Sequence, residues 1–313
     1  MPELPEVETI VRQLNKKVIG LKILDAWTDW PRTIKTHSLI KFKKEIKGLK
    51  ILRAHRRAKY IMMDLSEGKT LIIHQKISGH LLYGKWIEKN QISNIKNQNY
   101  KLKIKNDLKL KNQKWVGLEP EALWQDPFNR HIRFLLFLNN GKMLGLSDLR
   151  RFGKVFLGDT EKIEHINEIG RLGPEPLDAG FNFKKFRELF RNKKGKIKQV
   201  LMDPFFIVGI GNIYSDEILW FSGIHPEHRT ESLKEAELKK IFKYMKSVLN
   251  KAIDAKGDSQ QDYRTLDGGF GNYQNMTMAY QMTGEKCKKH DGGVIKRIKV
   301  GSRSAHFCPV HQK

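Results

Sequence analysis

Residues 1–14 read MPELPEVETIVRQL, and this opening stretch decides how the rest of the chain is interpreted. Four apolar residues recur at the spacing of one helix face, i, i+3, i+4 and i+7: Val7, Ile10, Val11 and Leu14. A proline is tolerated in the first turn of a helix, so Pro5 does not interrupt the pattern. The stretch therefore predicts a helix that begins close to the chain start and packs one face into a core.

The same stretch contains a candidate nucleophile. Removal of Met1 makes Pro2 the first residue, with a free secondary amine whose reference pKa is about 8. Such an amine attacks carbon to form an iminium, as catalytic lysines do. Glu3 and Glu6 lie beside it in sequence and are suited to carry protons. A purely structural interpretation stays open, because acidic residues in a first turn also favour the helix dipole.

The 313-residue chain is strongly basic, since 59 Lys and Arg residues against 34 Asp and Glu residues give a net charge of +25. This excess predicts a polyanionic partner. No apolar run approaches the roughly 20 residues that span a bilayer, so we expect nucleic acid and no membrane. Two cysteines exclude a disulfide scaffold and, with no signal peptide evident, indicate a cytoplasmic protein. The length indicates about two domains.

The first half reads as an antiparallel sandwich or barrel. Short apolar runs separated by polar residues are typical of strands, and they occur at residues 23–27, 60–65, 71–73 and 133–138. Residues 85–126 are polar and lysine-rich, with alternation at residues 100–105. We expect an inserted, exposed basic excursion there, either a solvated loop or a hairpin that widens the nucleic-acid contact.

The second half becomes helical, with periodicity over residues 183–191, 196–202, 213–221 and 233–255. The sequence GIGNIYSDE at residues 209–217 leads into one of these helices. Its two glycines allow the backbone to approach a phosphate at a helix N-terminus, and Asn212 adds a side-chain donor. A glycine turn that only packs helices together is the alternative interpretation.

Two knuckles of the form C-x2-H lie in the tail, which ends in metal-ligand residues: Cys287, His290, Cys308 and His311. Zinc binds Cys and His tetrahedrally, and paired knuckles joined by a hairpin supply four ligands. Residues 294–300 between them read as a strand. A small segment without its own core requires the metal to fold. The sequence therefore predicts one structural Zn²⁺ and no organic cofactor.

Taken together, these blocks resemble the formamidopyrimidine-DNA glycosylase family of bifunctional base-excision enzymes over nearly the whole chain. Besides the opening and the tail, the matching blocks are RRAKY at 56–60, HQKISG at 74–79, DLRRFG at 148–153, LGPEPL at 172–177 and GIGNIY at 209–214. The resemblance implies an α+β fold in three parts: an N-terminal β-sandwich domain with flanking helices (1–165), a helix-two-turn-helix domain (166–266), and a capping-loop region with a zinc-finger β-hairpin (267–313).

The resemblance also implies roles for the site residues. Pro2 is the expected nucleophile, with Glu3 as acid/base and Glu6 as a supporting carboxylate. Lys59 and Arg303 belong to the expected catalytic set and grip phosphates that flank the lesion. Further DNA contacts are expected from Asn212, Arg150, Phe152, Ile77, His131, Tyr214 and Lys198.

Two departures from the family pattern stand out. The family usually has four cysteines at the zinc, whereas the second ligand of each knuckle here is a histidine. Ile77 stands where the family has a methionine that fills the gap left by the flipped base. Its branched side chain is stiffer than that of methionine, so we expect a less adaptable insertion. Phe152 is expected to act as a wedge and Arg150 to read the orphaned partner base.

The expected activity is excision of oxidised purines, such as 8-oxoguanine and formamidopyrimidines, from duplex DNA by a monomer that also cleaves at abasic sites. Two alternatives stay open: an endonuclease VIII-like enzyme for oxidised pyrimidines, and a non-catalytic damaged-DNA-binding protein. Leu4, Val7 and a base-capping loop at residues 268–280 favour the purine branch. The intact Pro2-Glu3 pair argues against a non-catalytic protein.

Overall fold

The structure, a computed structural model, describes residues 2–94, 113–165 and 167–313. Its α-helices are α1 (Leu4–Lys17), α2 (Leu39–Ile46), α3 (Ala122–Gln125), α4 (Asn167–Gly170), α5 (Phe183–Phe190), α6 (Ile197–Leu201), α7 (Asn212–Ser222) and α8 (Glu235–Asp254). The strands are β1 (Ile23–Thr28), β2 (Ile51–Arg57), β3 (Tyr60–Leu65), β4 (Lys69–His74), β5 (Gly79–Glu88), β6 (Trp115–Glu119), β7 (Ile132–Leu138), β8 (Met143–Asp148), β9 (Lys154–Asp159), β10 (Lys296–Val300) and β11 (Arg303–Phe307). Short 3-10 helices lie at Pro31–Thr33, Lys89–Asn94, Pro127–Arg130, Thr160–His165, Thr230–Ser232 and Tyr273–Met276.

Two antiparallel sheets build the first half. One has the strand order β1-β7-β8-β5-β6 and the other β2-β3-β4-β9. Apolar residues of both sheets, such as Ile61 and Phe134, are fully buried in one shared core. This confirms the predicted N-terminal sandwich, whose strands bury one face of each sheet against the other.

Helix α1 joins the two halves of the molecule. Its predicted apolar face is buried in the sandwich core, as the spacing indicated. Leu4, in its first turn, is instead buried in the core of the helical half. The backbone N–H of Leu4 also donates to the carbonyl of Gly209 at 2.9 Å. The chain start is therefore held by the second half of the chain, and this contact positions the site described below.

The second half contains the predicted helices and ends in the β10-β11 hairpin. Helix α7 contacts this hairpin, because Asp216 accepts a hydrogen bond from the backbone N–H of His306 at 3.0 Å. Among the described helices, none combines the length and the hydropathy required of a transmembrane span.

The predicted basic excursion at residues 85–126 spans fewer residues than expected, because parts of this stretch belong to the fold. Its first residues continue β5, which pairs with β6 in the register Trp86↔Gly117. Trp86 and Trp115 are buried, so β5 and β6 within this stretch supply apolar side chains to the five-stranded sheet, and residues 122–125 form α3. The alternation at residues 100–105 lies outside the described residues.

Candidate active site

Glu3 joins the chain start to the N-terminus of α7. Its buried carboxylate accepts hydrogen bonds from the backbone N–H groups of Gly211 (2.6 Å), Ile213 (3.0 Å) and Tyr214 (3.4 Å). A Cβ atom at Gly211 would lie 2.4 Å from this carboxylate, so any larger residue there would displace it. The helix N-terminus for which we expected a phosphate is therefore occupied by Glu3, a negative group that the helix dipole also favours. Pro2, the residue before it, is buried as well.

Glu6 is the second carboxylate at the chain start. It accepts hydrogen bonds from the backbone N–H of Glu3 (2.7 Å), the backbone N–H of Asp258 (2.9 Å) and the hydroxyl of Tyr214. Burial and the neighbouring charge of Glu3 raise the pKa of Glu6 to about 7, although its hydrogen bonds oppose that rise. Glu6 therefore retains a proton in a pH range in which an exposed glutamate has lost it.

Lys59 lies on a tight turn between β2 and β3 that Glu175 holds in place. The residue before it, Ala58, has φ +53°, a left-handed conformation that is uncommon outside glycine. The carboxylate of Glu175 accepts from the backbone N–H of Ala58 at 2.6 Å and from the guanidinium of Arg56 at 2.6 Å. These contacts fix the backbone from which the Lys59 side chain extends.

The half-buried Lys59 ammonium is directed at the chain start. It donates a hydrogen bond to the carbonyl of Ile210 at 3.3 Å, next to the N-terminus of α7 that binds the Glu3 carboxylate. Burial lowers the pKa of Lys59, and the charge of Arg303 lowers it further, while the carboxylates of Glu3 and Glu6 oppose the shift. The predicted catalytic residues Glu3, Glu6, Lys59 and Arg303 thus share one electrostatic environment.

A cavity of about 590 Å³ opens at this point. Residues predicted from sequence that line it are Glu3, Glu6, Lys59, Ile77, Asn212 and Arg303. Tyr280, at the end of the predicted base-capping loop, also lines it, as do residues that sequence reasoning did not assign, among them His74, Asp258 and Gln261. A concave site with carboxylates, a lysine of lowered pKa and an exposed arginine, Arg303, is suited to a charged, ring-containing substrate.

Arg150 and Phe152 lie on the loop between β8 and β9, outside the residues that line the cavity. Both are exposed, and the Arg150 guanidinium lies 5.8 Å from the centre of the Phe152 ring. His131, just before β7, is half-buried, and burial together with Arg133 lowers its pKa. An exposed aromatic ring beside an arginine is the pair that the predicted wedge requires. His131 is less exposed than either of them.

Two of the predicted DNA contacts are internal. Lys198 is fully buried, and its ammonium lies 2.5 Å from the carboxylate of Asp216, which also contacts the ring of His306 at 2.9 Å. Tyr214 is fully buried, with its hydroxyl on Glu6. The prediction that these side chains contact DNA is therefore wrong for this structure, because each is enclosed by protein and already paired.

Four potential metal ligands converge in the tail, at Cys287, Asp291, Cys308 and His311. Their ligand atoms all lie within 4.8 Å of one another. The Nε2 atom of His311 lies 3.1 Å from the carbonyl of Trp220, so Nδ1, 2.6 Å from Asp291, is the nitrogen that faces the other ligands and would bind the metal. Two thiolates, an imidazole and a carboxylate suit Zn²⁺.

The predicted ligand His290 is not part of this group. Its side chain is exposed, and its backbone has φ +56°, so the chain turns there and the next residue supplies the ligand. Asp291 is further held by the backbone N–H of Gly293 at 2.9 Å. The C-x2-H spacing drew attention away from a C-x3-D pair, Cys287 and Asp291. The local signal for this pair is the turn sequence Asp-Gly-Gly, which begins at Asp291.

Comparisons with known proteins agree with this geometry. The sequence profile of the Formamidopyrimidine-DNA glycosylase N-terminal domain matches residues 1–155, and that of the Formamidopyrimidine-DNA glycosylase H2TH domain matches residues 172–264. A formamidopyrimidine-DNA glycosylase from Pelotomaculum thermopropionicum is 33% identical over 313 residues, covering 100% of this chain and 99% of that protein. The corresponding protein of Desulforamulus reducens is 34% identical, covering 100% of this chain and 99% of that protein.

Solved structures are similar along the full length. Lactococcus lactis Fpg bound to DNA with an abasic site has a TM-score of 0.80 and 32% identity, with 99% of each chain covered. A variant of the same protein bound to DNA containing Fapy-dG has a TM-score of 0.80 and 31% identity, with 100% of each chain covered. The chain therefore belongs to the formamidopyrimidine-DNA glycosylase family.

Proposed function

We propose that this protein is a bifunctional DNA glycosylase and AP lyase that removes oxidised purines from duplex DNA with the amine of Pro2 as nucleophile. The observation that carries the proposal is the way in which the first residues of the chain are held at the cavity. Glu3 is fixed to the N-terminus of α7 by three backbone N–H groups at the wall of the cavity. Positioning of this kind is what a reactive amine requires.

The proposed chemistry uses one nucleophile for two reactions. The Pro2 nitrogen attacks C1′ of the damaged nucleotide, the bond from C1′ to the base breaks, and the base leaves with a proton. The sugar ring opens to an iminium that joins Pro2 to C1′. Loss of the 2′ proton then expels the 3′ phosphate, and a second elimination expels the 5′ phosphate. Hydrolysis of the iminium returns the free amine.

The two glutamates have different tasks in this scheme. Glu3 is pre-oriented beside Pro2, where its charge stabilises the positive iminium and its oxygens assist base loss and ring opening. Glu6, with a pKa of about 7, is protonated in about half of the molecules at neutral pH, and it keeps the chain start in place through the backbone N–H of Glu3. Carboxylates in different environments thus take different roles.

DNA binding is assigned to the cavity rim and to the wedge loops. Lys59, Asn212 and Arg303 line the cavity and are placed to bind the phosphates that flank an extruded nucleotide. Phe152 and Ile77 are exposed apolar side chains suited to enter the stack. All of these groups come from one chain, which favours action as a monomer. Affinity should fall steeply with salt, because phosphate contacts release counterions.

The tail is assigned a structural zinc ion. Cys287, Asp291, Cys308 and His311 would hold it, and its contribution is to fold the hairpin that carries Arg303. The reacting atoms lie in the cavity, which none of these four residues lines. Two thiolates and one carboxylate give the site one more negative charge than two thiolates and two histidines would.

The test is borohydride trapping on duplex DNA that contains 8-oxoguanine opposite cytosine, with a dihydrothymine duplex as the comparison. A covalent adduct that maps to Pro2 and forms preferentially on the 8-oxoguanine duplex is expected. Preference for dihydrothymine would instead support the endonuclease VIII-like specificity. Pro2→Gly should depress strand scission strongly, while full scission by that variant would overturn the proposed nucleophile. Binding without any adduct would favour a non-catalytic protein.

A further inference from the structure

Asp258 adds a third carboxylate to the cavity that contains Glu3 and Glu6. It follows helix α8 and is buried, with a relative exposure of 5%. The scheme above gives this residue no task. Burial raises its pKa to about 6, and the charge of Glu3 contributes to the rise, so the carboxylate is mostly ionised at neutral pH, at a cost that the fold must offset.

The backbone around Asp258 is rigidly held. Its own N–H donates to Glu6 at 2.9 Å, and the N–H of Ser259 donates to the side chain of Gln274 at 3.0 Å. Gly257 has φ +82°, and a Cβ atom there would lie 2.8 Å from a carboxylate oxygen of Glu6. These contacts fix the position of the Asp258 side chain relative to the chain start.

One carboxylate oxygen of Asp258 is free. Its Oδ1 accepts from the backbone N–H of Gln260 at 3.1 Å. Its Oδ2 is buried and has no hydrogen-bond partner within residues 2–94, 113–165 and 167–313. Buried polar atoms in native proteins are nearly always paired, so an unpaired oxygen on a residue that lines a substrate cavity indicates a ligand that supplies the missing donor.

We propose that Asp258 Oδ2 accepts a hydrogen bond from an N–H group of the extruded base and so selects bases that present a donor at that edge. This inference rests on the proposed function of the same cavity. An ionised carboxylate is an acceptor only, so it attracts an N–H and repels a ring nitrogen that presents a lone pair. Guanine presents such a lone pair at N7, whereas 8-oxoguanine carries a proton there. A site built to pair with a donor rejects the analogue that lacks it.

The experiment compares base excision with cleavage at a preformed abasic site, which has no base to contact. Single-turnover rates are measured on an 8-oxoguanine duplex and on an abasic duplex, for the wild type, Asp258→Asn and the control Asp262→Asn. Asp262 lies in the same segment, is half-buried and does not line the cavity. For Asp258→Asn the ratio of excision to abasic cleavage should fall about tenfold or more, the effect of one charged hydrogen bond. The control ratio should stay within about twofold.

Two outcomes would overturn the inference. An unaltered ratio for Asp258→Asn would mean that Oδ2 does not contact the base. A parallel loss of both rates would mean that the carboxylate serves the amine chemistry. Asp258→Ser provides a second variant, and thermal unfolding with residual abasic cleavage establishes that each variant is folded. A wild-type protein that neither cleaves abasic DNA nor forms an adduct would contradict the proposed function, which separates that failure from this one.

Discussion

The hydroxyl of Ser78 donates a hydrogen bond to the buried carboxylate of Asp148 at 2.6 Å, and this contact joins the two loops that carry the candidate wedge residues. Ile77 precedes Ser78, and Phe152 follows Asp148 on the next loop. The other carboxylate oxygen of Asp148 accepts from the backbone N–H of Gly153 at 2.7 Å. Side chains that would enter DNA from two separate loops are thus positioned by one buried carboxylate.

Replacing Ser78 by Ala should loosen this junction. The variant loses a buried hydrogen bond to a carboxylate, which we expect to lower the free energy of unfolding by about 1.5–3 kcal/mol. The ratio of affinities for lesion and undamaged duplexes should fall as well. Denaturant unfolding and titration of both duplexes measure these effects. Ser247→Ala, at an exposed position of α8, is the matched control and should shift stability by less than about 0.5 kcal/mol. An unchanged affinity ratio would separate the junction from lesion recognition.

Gln75 is a buried amide whose oxygen and nitrogen both have no hydrogen-bond partner in the described part of the chain. Replacement by leucine removes two unpaired polar atoms at similar volume. We expect the free energy of unfolding to rise by about 1–2 kcal/mol, with a higher Tm. Gln199→Leu, at an exposed position of α6, serves as the control. A variant less stable than the wild type would show that the amide is satisfied in solution.

The buried pair of Lys198 and Asp216 should behave as a coupled unit. Lys198→Met removes the lysine charge that balances buried Asp216, which then keeps only its contacts with His306, and should cost about 3–5 kcal/mol of stability. Asp216→Asn strands the lysine in the same way, so the double variant should lose less than the sum of both, as a double-mutant cycle would report. The salt dependence of DNA affinity should keep its slope in Lys198→Met. If the slope of log affinity against log salt concentration became smaller by about 1, Lys198 would have to contact a phosphate after all.

His80 should make the protein sensitive to acid. Its ring is buried, with Nε2 at 2.9 Å from the amide oxygen of Asn129, and burial lowers its pKa to about 4. Below the ordinary histidine pKa of about 6.5, the unfolded chain binds a proton that the folded state refuses, so stability falls as the pH decreases towards 4. The loss approaches about 1.4 kcal/mol per pH unit. In His80→Gln the slope should be smaller by this amount but not zero, because buried His74, whose pKa is lowered to about 3, acts in the same direction. Equal slopes for both proteins in denaturant titrations would contradict the contribution of His80.

The metal ligands can be tested without measuring activity. His290→Ala should retain one metal ion per chain, because the exposed imidazole lies outside the cluster, whereas Asp291→Ala should weaken binding by more than about tenfold. Elemental analysis and competition with a chromophoric chelator measure both. The cobalt-substituted protein should show thiolate charge-transfer absorption from Cys287 and Cys308. Metal loss in His290→Ala with full retention in Asp291→Ala would restore the histidine as a ligand.

The parts of this structure that follow local periodicity could be predicted from sequence. The apolar face of α1, the strands of the sandwich and the helices from residue 183 onward follow patterns that neighbouring residues specify. The residues that gather at the cavity were assigned through the family resemblance, and Glu3, Lys59 and Arg303 do lie together there.

What could not be predicted depends on contacts between distant positions. The sequence indicates a DNA contact for Lys198 because nothing near it in sequence shows that its ammonium pairs with Ser215 and Asp216. The position of Asp258 at the cavity could not be predicted, because it depends on the hydrogen bond from its backbone N–H to Glu6, at the other end of the chain. Asp291 was missed because the backbone conformation at His290, which turns the chain one residue later than expected, is not encoded in ligand spacing.

Because the Glu3 carboxylate is bound by the second half of the chain, we expect neither half to be active without the other. A proteolytic or recombinant fragment that ends near residue 165 would keep Pro2, Glu3 and Lys59 but lose the three N–H donors that hold the Glu3 carboxylate. Leu4 would at the same time expose a side chain that the helical half now covers. Such a fragment is expected to be inert even if it folds, and adding the missing half in trans should restore function only when the two pieces reassemble.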